Sequence, residues 1–299
     1  VEDPRALIAT PGRIARLAQE TGAGAILLAR LSQAAELETP LPVLAAPLGC
    51  AGTRFRALGD ATPPADLAWR LALDAEGLAR ADLAVAPSAA HAAQMRAVYP
   101  PIGRLCVVAS GVRPATTPAG PTSGAAALAT GRWWDAADGA ATLDATAART
   151  ETPVLALGPG AGRRREGGRR FRHASALGLQ TPEDRRRLMA STGIFVSTAV
   201  YAPEGLDALE AAAMGSALAL ADLPANRERW EGAALFVPPG DPAGFAAVID
   251  RLAADPELRA RLGAKARARG AGFTRHRQAT KLHRRLSEIR AEFGVRRPG

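Results

Sequence analysis

The stretch IFVSTAVYAPEGLDALEAAAMGSALALAD, residues 194–222, decides how the rest of the chain is read. Ile194–Ala199 is a short apolar run of strand length. A Pro-Gly loop follows, then an amphipathic stretch over 205–214, then a second apolar run over 217–222. Strand, helix and strand with almost no polar residues inside the strands predict a parallel unit buried on both faces. In an open sheet of this kind ligands bind at the carboxyl edge of the strands, which places the 200–205 loop at that edge. The helix that opens at Gly205 leaves its first N–H groups unpaired, and glycine carries no side chain to hold off a phosphate. Gly205 and Leu206 are therefore candidate phosphate contacts. Glu210, one to two turns on, has a carboxylate suited to accept hydrogen bonds from two vicinal hydroxyls such as a ribose offers. The same acids also suit ordinary cap and surface positions, so the pattern alone leaves both readings open.

The alternation extends in both directions. Towards the C-terminus come the strand ALFVPP (234–239) and helices over 242–255, 257–270 and 275–292. Towards the N-terminus come PVLALGPG (153–160), a helix over 135–148, and AAALATG (125–131). A helix near 181–190 precedes the decisive stretch. The segment 111–124, rich in Gly and Pro and without periodicity, reads as a linker. Before it lie apolar runs at 26–28, 42–46, 83–87 and 105–109, with helices over 65–80 and 88–98, the latter capped by Ser88. Two α/β domains are expected, 1–115 and 118–290, the first short for a doubly wound unit. The length of 299 residues allows two domains of about 150 residues each.

Composition narrows the chemistry. With 47% apolar and 22% charged residues the chain has ample material for a core. Two cysteines, Cys50 and Cys106, and four scattered histidines offer neither a disulfide framework nor a metal cluster. No run of 18 apolar residues occurs, and VEDPRALIATPGR is not a signal peptide, so a cytoplasmic location without a transmembrane segment is expected. The net charge of +9 comes from arginine, since Lys265 and Lys281 are the only lysines. Aromatics at 4% are too few for the stacking that single-stranded nucleic acid uses, so no nucleic-acid partner is expected; the arginine excess, beside abundant alanine, is open to coding bias, and attraction of a phosphorylated small substrate fits it equally well. GAGRRREGGRRFR (160–172) lacks the order of a phosphate loop and reads as a solvated loop ending near His173.

A second anion site is outlined by ALATGRWWDAADG, 127–139, where a strand runs through a glycine and Arg132 into a helix start. The guanidinium of Arg132 suits a diphosphate. Trp133 and Trp134 are expected to pack.

These segments together resemble the retaining nucleotide-sugar glycosyltransferases of family 4. VVASGV (107–112) is similar to the family's V-x-x-N-G-V, with Ser110 for Asn. GRWWDAADG is similar to its donor-domain loop. The stretch from Ile194 to Pro242 and the run DPELRARLGAKARARGAGFT are similar to its donor domain and C-terminal helices. The resemblance implies the GT-B architecture, two Rossmann-like domains facing across a cleft, with the first domain shortened here. It implies transfer of a sugar from a nucleoside diphosphate sugar to a hydroxyl acceptor, such as a carbohydrate, with retention. The donor is the co-substrate and neither a cofactor nor a metal is required, in keeping with the absence of a D-x-D motif. Peripheral association with a membrane remains compatible with it.

Carried over position by position, the family's arginine falls on Arg132 and its second glutamate on Glu210. Its lysine falls on Asp138 and its first glutamate on Ala202, with Glu204 two places away as the one candidate catalytic carboxylate. The family's N-terminal-domain histidine has no counterpart around PVLAAPLGCAG (42–52), and its glycine-rich opening loop is absent from the stretch given. Like charges about 6 Å apart repel by roughly 3 kcal/mol at an effective dielectric of about 20, so Asp138 is expected to weaken diphosphate binding. Two further readings are a catalytically weak or inactive relative that binds sugar nucleotides or a protein partner, and a nucleotide-sugar epimerase of similar architecture. The epimerase needs its own acid–base pair, and His91, His276 and His283 all fall on helices. Cys50 has no basic neighbour that would activate it.

Overall fold

The computed structural model describes residues 4–59, 68–99, 101–114, 125–160 and 171–296. The chain divides into two units, Val1–Ser110 with His276–Gly299, and Gly111–Arg275. Most of the 111–124 stretch read as linker, residues 65–67 of the expected 65–80 helix, and most of the 160–172 loop lie outside the described residues.

The first unit carries a four-stranded parallel sheet, β1 (Ile26–Leu28), β2 (Val43–Ala45), β3 (Leu83–Ala86) and β4 (Leu105–Val107), in that spatial order. All four runs are the ones legible in the sequence. Around them lie α1 (Pro4–Glu20), α2 (Ala51–Ala57), α3 (Ala68–Arg80) and α4 (Ala89–Val98). Ser88 caps α4 by accepting the His91 N–H at 3.0 Å, and His91 itself is buried, which holds its pKa down. The last helix of the chain, included in the expected 118–290 stretch but expected to pack back towards the first domain, has its contacts in the first unit. Its residues Leu282, Leu286 and Ile289, on one face at helical spacing, pack against Leu44, Leu83, Val85 and Val108. Arg104 pairs with Glu292 at 2.5 Å at the far end.

A polar group sits inside this unit. Asp74 of α3 accepts the Ala51 N–H at 2.8 Å and the Tyr99 hydroxyl at 3.2 Å, and Tyr99 in turn accepts the Gly52 N–H at 3.0 Å. This network pins the start of α2, a helix that the glycine and cysteine around it hide from sequence reading. Cys50 lies buried beside Thr53, and burial pushes its thiol pKa up, so the residue is packed rather than activated.

The second unit has six parallel strands: β5 (Ala126–Thr130), β6 (Val154–Leu157), β7 (Ser175–Gly178), β8 (Gly193–Ser197), β9 (Ala217–Ala221) and β10 (Ala234–Val237). Their order is β10-β9-β8-β5-β6-β7. The helices are α5 (Ala140–Ala147), α6 (Pro182–Thr192), α7 (Leu206–Ala213), α8 (Pro224–Trp230), α9 (Pro242–Ala254) and α10 (Pro256–Gly270), and α11 (Arg275–Arg296) is the one that joins the first unit. Both faces of the sheet are covered. Ala127, Ala129, Ala217 and Ala219 meet Leu143, Phe245 and Ile249 on one side, while Leu128, Phe195, Leu218 and Leu220 meet Leu209 and Trp230 on the other. Alternate residues of one strand thus serve opposite helix layers, as the period of two requires. No helix among the described residues is long and apolar enough to cross a membrane.

The Asp74 network has a measurable signature. Burial raises the Asp74 pKa above its reference of 3.8. Between the two values the folded chain binds more protons than the unfolded one, so stability falls as pH rises through the folded pKa. Asp74→Asn keeps an oxygen acceptor and removes that loss. Its thermal midpoint should gain on the wild type as pH is raised from about 4 to 7; parallel midpoint curves would refute the assignment.

Candidate functional site

The strand order of the second unit reverses between β5 and β8, because β6 and β7 lie on one side of β5, and β9 and β10 on the other side of β8. At such a reversal the two connections leave the sheet in opposite directions and a crevice opens at the carboxyl edge. The segments that border it are 131–139, after β5, and 198–205, after β8. They are tied together: the Val200 N–H donates to the Ala137 carbonyl at 2.9 Å, and the Thr198 hydroxyl to the Gly139 carbonyl at 3.1 Å. Arg132 thus stands in one of two connected segments, with Glu204 and Gly205 in the other and Leu206 at the head of α7.

The 135–148 helix expected from sequence is interrupted. A short turn over Ala136–Asp138 ends at Gly139, which adopts a left-handed φ of 71°, and α5 starts afresh at Ala140. A β-carbon on Gly139 would stand 2.3 Å from the Thr198 carbonyl oxygen. The end of β6 approaches as closely, with a β-carbon on Gly158 falling 2.0 Å from the Gly131 carbonyl. Three strand ends therefore converge on backbone contacts that only glycine permits.

Arg132 is exposed at its side chain, 59%, yet its charge is met within the loop. Its guanidinium lies 3.2 Å from Asp135 and 3.5 Å from Asp138, and its N–H donates to Asp138 at 2.7 Å. Exposed pairs of this kind contribute about 1 kcal/mol or less each. Burial raises the Asp138 pKa, against the pull of Arg132. Asp138 is thus a partner of Arg132 as well as the negative charge that the sequence comparison places there. Trp133 is buried, edge-on to Phe171 at 5.3 Å, as expected. Trp134 departs from the expectation: it is 47% exposed, with the Arg132 guanidinium 5.7 Å from its ring.

At α7, Gly205 forms the cap position with φ 56°, and no side chain caps the helix. The buried Arg229 of α8 donates to the Glu204 carbonyl and lies over the Phe273 ring, and burial lowers its pKa. The loop before α7 therefore rests on a desolvated cation. Glu210 faces α6 rather than Arg132: Arg185 reaches its Oε2 with Nε at 3.0 Å and Nη2 at 2.8 Å, and reaches Asp207 at 2.5 Å. Arg185 and Arg229 were not singled out by sequence reading. Each stands in a run of charged residues, 183–187 and 227–229, whose members look alike until the helix phase selects one. His173 closes its loop by donating its N–H to Asp144, as expected of a loop end.

The glycine contacts predict an asymmetry. Gly139→Ala should destabilise the second unit by about 1–3 kcal/mol, through left-handed strain and the clash with Thr198, and should weaken any ligand held by both loops. Gly178→Ala, at φ +66° but with nothing within 4 Å of the added carbon, should cost about 1 kcal/mol and leave ligand binding alone. Chemical denaturation of the two variants measures the difference.

Comparison with known proteins gives three findings. Residues 172–269 match the family model described as glycosyl transferases group 1. No curated protein sequence matches the chain. Solved structures align over nearly its whole length. A sucrose-phosphate synthase from Thermosynechococcus elongatus is 19% identical with a TM-score of 0.80, covering 98% of this chain and 81% of its own. HepE from Anabaena, in complex with UDP and glucose, is 15% identical with a TM-score of 0.74, covering 92% and 80%. A glycosyltransferase from Rickettsia africae is 16% identical with a TM-score of 0.68, covering 96% and 82%. The chain has the two-sheet α/β fold of GT-B glycosyltransferases, and its second unit carries the segment that matches the group 1 model.

Proposed function

We propose that the protein transfers a sugar from a nucleoside diphosphate sugar to a hydroxyl acceptor, with retention at the anomeric carbon and with the donor held by the second unit. The observation that carries this reading is the joining of the Arg132 loop to the Gly205 loop at the strand reversal, in a unit whose residues 172–269 match a glycosyltransferase model. The complex of the HepE neighbour with UDP and glucose supports the donor class. In this reading Arg132 and the N–H groups at Gly205 and Leu206 face the diphosphate, and Glu210 accepts the ribose hydroxyls. The bond from the anomeric carbon to the diphosphate oxygen breaks, a bond to the acceptor oxygen forms, and the acceptor proton is released. Negative charge grows on the departing diphosphate, and preorganised donors stabilise it without a metal. Glu204 is the carboxylate for the sugar end of the site. Family 4, a carbohydrate acceptor, a cytoplasmic setting and peripheral contact with a membrane belong to the same proposal.

Two observations favour a second reading, a weakly active or inactive protein that binds sugar nucleotides. Arg132 is already paired with Asp135 and Asp138, and Ala202 leaves no carboxylate at the position that the family fills with one.

Calorimetry with UDP, GDP, ADP and their sugar conjugates, followed by turnover on any that bind, separates the two. Glu210→Ala should weaken nucleoside diphosphate binding about tenfold and leave free pyrophosphate unchanged, since pyrophosphate has no ribose. Asp138→Asn keeps an acceptor for the Arg132 N–H while removing the charge, and Asp138→Lys reverses it; both should tighten the diphosphate. Ala202→Glu should act on turnover rather than on phosphate affinity. Fast transfer by the wild type, improved by neither change, would point to Glu204 as the rebuilt carboxylate. Absence of transfer in every variant despite tighter binding would leave the second reading standing.

A further inference from the structure

The pairing of Arg185 with Glu210 has a geometry that goes beyond charge neutralisation. Arg185 belongs to the first turn of α6, which starts after β7 at the same carboxyl edge as the loops around Arg132 and Gly205. Both of its bonds to Glu210 end on one oxygen, Oε2, from Nε at 3.0 Å and from Nη2 at 2.8 Å. Oε1 accepts no hydrogen bond among the described residues. Nη2 also reaches Asp207 at 2.5 Å, so the guanidinium is held from two positions about one turn apart on α7 and cannot swing with one of them. All three side chains are partly open to solvent, 30% for Arg185, 46% for Asp207 and 34% for Glu210. Burial works against the charge of Arg185, and Asp207 and Glu210 outweigh it, so its pKa is raised.

We propose that Arg185 is a positioning residue that makes the site selective for ribose over 2′-deoxyribose, by fixing one oxygen of Glu210 and leaving the other to accept the vicinal hydroxyls. The proposal rests on the donor-site reading of Glu210 given above. A free glutamate side chain has three rotatable bonds and loses their freedom when it binds a sugar. Arg185 bears that loss in advance, and its planar fork does so with direction, which an ammonium cannot match. The gain is confined to ligands that offer the hydroxyl. A 2′-deoxy ligand meets the same diphosphate contacts but offers Oε1 only its 3′-hydroxyl, so the paired acceptance is lost.

The test uses the full chain, with UDP, GDP and ADP and their 2′-deoxy forms as probes, and calorimetry as the measurement. The wild type should prefer the ribonucleotide that it binds best by about tenfold over its 2′-deoxy form. Arg185→Gln should abolish most of that preference by weakening the ribonucleotide alone. The unchanged affinity for the deoxy form certifies that the variant is folded. Arg185→Lys should retain part of the preference. Arg186→Gln, which removes the same charge from an exposed neighbour, should retain all of it. Equal weakening of both forms by Arg185→Gln would overturn the assignment of Arg185 while leaving the donor reading intact; a wild type that binds ribonucleotides without discriminating would overturn the ribose role of Glu210 as well. A wild type that binds none of the six nucleotides would overturn both.

Discussion

The second unit depends on the reversal of strand order between β5 and β8. Two loops that leave the sheet in opposite directions are brought back into contact by Thr198 and Val200, which bond to the backbone of 137–139. The contact demands that Gly139 be left-handed and bare of a side chain, and this breaks the 135–148 segment into a turn and a helix. It also fixes where the N-terminal ends of α5 and α7 lie relative to one another, and with them the N–H groups at those helix starts. The placement of Arg132, Glu204, Gly205 and Leu206 follows from that one backbone junction.

Much of this was legible in the sequence because parallel strands buried on both faces leave uninterrupted apolar runs. Nine of the ten strands among the described residues coincide with such runs, and the loops after β5 and β8 carry the glycines and charged residues singled out as candidate contacts. The strand that was missed, β7, is Ser175–Gly178 at the edge of the sheet, where partial exposure removes the hydrophobic pattern. The short helices α2 and α8 were missed because the first opens on a buried Asp74 network rather than on a cap in its own sequence, and the second is only seven residues long. The role of Asp138 was half visible. Its sign followed from the sequence comparison, but its bond to the Arg132 backbone needed the turn at Ala136–Asp138 to exist. The Arg185 contact lay beyond reach, since it joins residues 22 and 25 positions apart across two helices.

Formal charge is a poor guide to the field at this site. The chain has 38 basic and 29 acidic residues, yet at this site each of several arginines meets two carboxylates. Arg132 has Asp135 and Asp138, and Arg185 has Asp207 and Glu210. Arg227, between Asp222 and Glu231, repeats the pattern on α8. An incoming anion must therefore compete with carboxylates that already hold these guanidinium groups. Arg229 is different: it lies in a desolvated position under the α7 loop and donates to a carbonyl, so its charge is less fully offset at close range.

The inner strands of the second unit are built largely from alanine on one face, at 127, 129, 217, 219 and 221. A methyl group buries far less apolar surface than the side chain of leucine or isoleucine. Unfolding such a sheet hydrates correspondingly little hydrocarbon, and the heat-capacity increment scales with that area. The free energy of this unit accordingly curves gently with temperature, spreading its stability over a broader thermal range than an isoleucine-filled sheet of the same topology and peak stability would have.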